Sequence, residues 1–234
     1  MDTKTRQYEN FLRNELIDPA TQEEFEKEKR KPNGSLYEAM QMKFGSTNPE
    51  ALSLLQSAQD ILGDSNIAIE EFKEYINERN DLPISEMYLL IYGVLNAVYI
   101  QLQALETFYD IFQVDKNSSK LPEIKRLGIL QLRHKIAAHP LNYGRAKKAP
   151  ESFRLIRSSV THPQSISVMN HRNEIEEFDI PYGLVEFDMQ KELILNDLII
   201  VVINNFHSND FNKRDQLLKK LKLITDGKLK SSTI

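Results

Sequence analysis

The sequence predicts a mainly α-helical protein, a helical bundle carrying one small β-hairpin insert. Three observations predict it. Apolar residues recur three and four apart through most of the 234 residues, which is the period of a helix with one buried face. Alternating, β-branched stretches are confined to about 152–180, late in the chain. No strand pattern alternates with the helices, so a parallel α/β sheet is excluded.

The elements follow in order. Thr3 to Leu16 reads as a helix through Tyr8, Phe11 and Leu12, ended by Asp18-Pro19. Thr21 to Lys31 is a charged helical run whose apolar residue is Phe25, and Pro32-Asn33-Gly34 is a turn. Ser35 to Phe44 makes a short amphipathic helix. Residues 1–46 thus form an N-terminal helical extension, either a mobile appendage or a cover for the core. The main domain is expected over 47–225 and a flexible tail over 226–234.

Thr47-Asn48-Pro49-Glu50 opens a helix with a capping side chain and a proline in its first turn. Leu52, Leu55, Ala58, Ile61 and Leu62 follow at helical spacing, and Gly63 is expected to close it. A separate helix is expected from Ile67 to Asn80. Leu82-Pro83 breaks the chain, and Ser85 can cap a long helix to about Gln113. Its stretch Met87 to Leu105 carries no charged residue, yet Asn96, Gln101, Gln103 and three tyrosines interrupt it. A membrane span would be more uniformly apolar, so a buried bundle or dimer helix is expected, and no membrane.

After the polar loop Asp115 to Ser119, Leu121 to Ile136 gives a mostly apolar helix that Pro140 stops. Leu141 to Glu151 is a basic loop. Residues 153–157 and 165–169 read as strands, with a third extended piece over 175–180. Asp188 is expected to cap the next helix, whose core runs from Leu193 to Ile203. A last amphipathic helix covers about Asp210 to Thr225.

Composition narrows the function classes. With no cysteine, disulfides, thiolate nucleophiles and cysteine-based zinc sites are all excluded. No basic and apolar leader pattern opens the sequence, and together with the missing cysteines this sets a cytoplasmic expectation. The net charge of −4 argues against nucleic acid, but its distribution argues for it. Lys120 to Val160 holds ten basic and two acidic residues, a net +8 that leaves −12 for the remainder. Such a basic island is a candidate phosphate-binding face, or else a solvated charged surface. Glycine-rich phosphate loops, Gly-x-Ser-x-Gly and His-Glu-x-x-His are absent. No metal or other cofactor is expected.

The stretch that can carry chemistry is Leu132-Arg133-His134-Lys135-Ile136-Ala137-Ala138-His139-Pro140. His134 and His139 lie five apart, the wrong spacing for one face of a regular helix, and no paired carboxylates lie near them. Arg133 with His139 suits metal-free cleavage of RNA by its own 2′-hydroxyl. Histidine can move a proton near neutral pH, and the guanidinium fork stays charged and binds phosphate with two donors. A purely structural reading stays open, in which both side chains cap carbonyls at a helix end.

The nine residues resemble the signature of the HEPN superfamily of helical domains: an arginine, a polar residue (commonly asparagine), a short variable stretch and a histidine. Arg133, His134 and His139 match those three positions, and the gap has the usual length. The resemblance implies a HEPN-type bundle and a metal-independent endoribonuclease, frequently a toxin or phage-defence component. It implies a homodimer that shares its active site, and in some relatives a neutralising antitoxin-like partner. His139 would be the general acid or base, Arg133 would stabilise the scissile phosphate and His134 would assist. Lys135, Tyr143, Arg145, Lys147 and Lys148 are expected to contact the RNA, with Tyr143 stacking on a base. The alternative is a catalytically inactive module that binds nucleotide, RNA or a protein partner.

Overall fold

Several helices begin where a side chain offers an oxygen to their unpaired N–H groups. The structure is a computed structural model and describes residues 3–29, 35–78, 82–116, 120–138, 141, 151–161 and 164–228. In it Thr3 caps α1 (Lys4–Asn10) and Ser35 caps α3 (Leu36–Phe44), each accepting from an N–H three residues on. The α2 helix (Asp18–Glu28) lies between them. Gly45 ends α3 in the left-handed conformation, at φ 71°.

Asp18-Pro19 does not end the first helix. The backbone runs on from α1 through a π-helical segment, Phe11–Ile17, into α2. Proline lacks an N–H and its ring presses on the carbonyl four residues back. The wide turn ahead of Pro19 accommodates this, with the Asp18 N–H donating to the Arg13 carbonyl five residues earlier.

Gly63 does not close a helix either. A single helix, α4, runs from Ala51 to Glu78. A Cβ at Gly63 would lie 3.4 Å from a guanidinium nitrogen of Arg6 and 3.5 Å from a Glu9 carboxylate oxygen. This glycine therefore admits a close neighbour instead of terminating the chain direction. The α5 helix follows over Ile84–Ile111.

The expected helix from Leu121 to Ile136 is broken into α6 (Leu121–Ile124), α7 (Gly128–Arg133) and a second π-helical segment, His134–Ala138. Arg126 and Leu127 donate only three residues back, to Glu123 and Ile124. The freed Arg126 carbonyl accepts from the Gln131 side chain at 2.8 Å.

Three strands follow: β1 (Phe153–Leu155), β2 (Ser165–Asn170) and β3 (Ile175–Asp179), antiparallel in the order β1-β2-β3. Phe153 pairs with Asn170, Val168 with Glu176 and Ile166 with Phe178. Alternation therefore puts Phe153, Ile166, Val168, Glu176 and Phe178 on one face. The next helix, α8, spans Ile180–Phe206 and starts earlier than expected. Its N-terminal cap is Asp179, which accepts from the Tyr182 N–H at 2.8 Å, with Pro181 in the first turn. Asp188 instead pairs with Lys73 at 2.5 Å. The last helix, α9, spans Phe211–Thr225 with Asp210 as its cap.

The chain divides into two compact units: Met1–Gly63 with Gln103–Leu121 and Lys191–Ile234, and Asp64–Leu102 with Pro122–Gln190. In the first, Tyr8, Phe11, Leu12, Leu16 and Ile17 are buried, so the N-terminal helices cover a core. Phe44, Phe112 and Phe206 cluster there, with ring centroids 5.6 to 6.3 Å apart. Lys220 of α9 reaches Glu15 at 2.5 Å. The second unit buries Ile69, Phe72, Ile91, Leu95, Val98, Ile129, Leu132, Ile166, Val168, Leu184 and Phe187. Each such side chain contributes about 1.5–3 kcal/mol by leaving water. Gly183 lets α8 approach α7, since a Cβ there would meet the Ile129 Cβ at 3.1 Å.

Candidate functional site

Arg133 is the last residue of α7, and the wide turn His134–Ala138 begins immediately after it. Residues two apart on a helix point about 200° apart, so consecutive odd positions of the motif reach opposite neighbours. Arg133 reaches α5. Its guanidinium carbon lies 3.7 Å from the centre of the Tyr99 ring, a close cation–π contact. His134 meets the same ring edge-on, with centroids 5.9 Å apart and planes at 79°. A guanidinium nitrogen of Arg133 also stands 3.5 Å from His134 Nδ1, the outer limit of a hydrogen bond and possible only when that nitrogen is unprotonated.

The guanidinium is half-buried, and its Nε–H is buried without a hydrogen-bond partner. Among the described residues no carboxylate forms an ion pair with it. Half-buried arginines are usually neutralised, because a charge withdrawn from water needs compensation. Here an aromatic face supplies orientation without cancelling the charge. The charge itself is left without an acidic partner among the described residues.

Lys135 lies elsewhere. Expected to contact RNA, it is 6% exposed and its ammonium pairs with Glu176 of β3. It also stands 4.8 Å from the Phe153 ring centre and 5.4 Å from that of Phe178. This cation is enclosed by the sheet and is not presented to a phosphate. The sequence grouped it with the basic island because its partners lie in strands it could not align.

His139, Tyr143, Arg145, Lys147 and Lys148 lie outside the described residues, as does Pro140. Of the other histidines, His171 is exposed in the turn after β2. Burial, with Lys213 and Lys43 nearby, lowers the His207 imidazole below its ordinary value. Among the described residues no group of three or more metal-ligating side chains converges. The α5 helix is, among the described residues, long and apolar enough to cross a membrane by length and composition; half of its most apolar window is buried.

Tyr99 was not singled out by the sequence. Its one signal is being one of three tyrosines in the uncharged stretch Met87 to Leu105. A stripe of α5 at spacings of three and four, Leu89, Tyr92 and Asn96, faces outward, with Leu89 74% exposed. Compared with protein-family models, curated proteins and solved structures, the chain matches none.

Proposed function

We propose that this chain is a metal-independent endoribonuclease of HEPN type, with a site completed by a second copy. The observation that carries the reading is the guanidinium of Arg133, without an acidic partner among the described residues and held over the Tyr99 ring, within a motif that supplies a histidine six residues on. The uncharged outward stripe of α5, which leads to Tyr99 on the same helix, supports two-fold pairing next to the site.

In this account one His139 takes the proton of a ribose 2′-hydroxyl, whose oxygen attacks the adjacent phosphorus. The other copy's His139 gives a proton to the departing 5′-oxygen. The products are a 2′,3′-cyclic phosphate and a 5′-hydroxyl. Arg133 donates to the non-bridging oxygens as charge builds on them. His134 orients the guanidinium through the contact at Nδ1. Tyr143, Arg145, Lys147 and Lys148 bind the strand on either side of the cut. The setting is a cytoplasmic toxin or defence component restrained by a neutralising protein.

The test is RNA cleavage by the purified full chain in excess chelator, beside Arg133→Ala and His139→Ala. Wild-type cleavage that both substitutions abolish supports the reading. Full activity in either variant refutes it. The same half-burial of Arg133 also suits a silent RNA-binding module; in that case wild type and variants differ in RNA affinity and none cleaves.

A further inference from the structure

Glu176 is out of place. On β3 it shares the face of Phe178, opposite Val168 on β2, where alternation calls for an apolar side chain. Its partner explains it, because the buried ammonium of Lys135 meets its carboxylate. The Phe153 ring from β1 and the Phe178 ring from β3 face the same ammonium. Two strands thus converge on one cation, and that cation is the second residue of the wide turn His134–Ala138.

A wide turn is rare and is not self-sustaining, since its hydrogen bonds give poorer packing than those of an α-helix. Something outside it must hold it. Here it is gripped from two directions: Arg133 and His134 engage Tyr99 of α5, and Lys135 engages the sheet. A leucine at 135 would bury well against two phenylalanine rings but would not select one position along the strand. A paired charge does, because a shift along the strand takes the buried ammonium away from the Glu176 carboxylate.

We infer that Lys135 is a positioning residue: caged by Glu176, Phe153 and Phe178, it locks the wide turn to the β insert and so sets where Arg133 presents its guanidinium. The β insert is then a buttress for the motif. The inference deepens the nuclease reading and rests on it for its kinetic consequence, while its structural consequence stands alone.

Two readouts on the full chain separate them. The first is the NMR signal of the Arg133 Nε–H, which the Tyr99 ring current displaces from its free value. The second is the split between kcat and KM for RNA cleavage. In Lys135→Met and Glu176→Gln the Arg133 signal is expected to return toward its free value. In both, kcat is expected to fall about tenfold to a hundredfold with KM little changed. Lys135→Arg, which keeps the cation, is expected to retain most of both. A folded Lys135→Met or Glu176→Gln protein with an unmoved Arg133 signal overturns the inference. Should Lys135→Met fail to fold, Glu176→Gln decides alone, because Glu176 is 44% exposed and its replacement opens no cavity. If the wild type does not cleave RNA, the nuclease reading fails and the Arg133 signal still judges the positioning role.

Discussion

Replacing Tyr99 by leucine should cost activity without unfolding the protein. The ring holds Arg133 through a cation–π contact at 3.7 Å, worth about 1 kcal/mol at a half-buried site. It also holds His134 edge-on, which adds about 0.5 kcal/mol. Leucine keeps most of the apolar bulk and loses both. Roughly 1.5 kcal/mol of orientation lost corresponds to about a tenfold smaller share of guanidinium in the working position. The expected result is kcat about tenfold lower, KM within twofold and a melting temperature lower by about 3–6 °C, with the protein still folded. Tyr99→Phe keeps the ring face and should stay within twofold of wild type. The assay is steady-state cleavage of a fluorescent RNA. Wild-type kcat in Tyr99→Leu, or an equal loss in Tyr99→Phe, would refute the idea that the ring face orients the arginine.

Three further outcomes follow from the packing. Gly93→Ala meets nothing within 4 Å and should stabilise the protein by about 0.5–1 kcal/mol through helix propensity. Gly183→Ala should not, because its Cβ meets the Ile129 Cβ at 3.1 Å and overpacking cancels the gain; thermal melts of the pair check this. Asp188→Asn leaves the half-buried Lys73 with Glu70 as its remaining acidic partner. It should cost about 1–2 kcal/mol, or about 2–8 °C in melting temperature. His207 titrates below its ordinary value because it is partly buried beside Lys213 and Lys43. The unfolded chain then binds the proton more readily, so this contribution to stability is complete above about pH 6.5 and is lost on acidification. His207→Gln should flatten the fall in melting temperature between about pH 7 and pH 5; an unchanged slope contradicts the assignment.

What the sequence made legible was local. The short helix after Ser35 and the last helix after Asp210 form where the sequence places them, and the three extended stretches pair as a meander. Where a local signal competed with packing, packing won. Gly63 carries the mark of a helix end, yet a glycine inside a helix costs only about 1 kcal/mol, less than a long buried face returns. Pro19 could be absorbed because the backbone widened ahead of it. Asp188 resembles a cap, but Asp179 stands beside Pro181 and starts the helix first. The motif was legible over nine residues. Its supports were not, because Tyr99 and Glu176 are distant in the chain and no periodicity links them to Arg133 and Lys135. Lys135, expected from the basic run to contact RNA, is instead buried against Glu176, a carboxylate 41 residues away that no local pattern points to.

The central claim is that Arg133 and His139 cut RNA by internal attack of the ribose hydroxyl. The direct measurement is the chemistry of the ends left on RNA treated with the purified chain in chelator, read by mass spectrometry. The account predicts 2′,3′-cyclic phosphate and 5′-hydroxyl termini, absent with Arg133→Ala and His139→Ala. Termini bearing 3′-hydroxyl and 5′-phosphate, or intact RNA at every enzyme concentration, would contradict it.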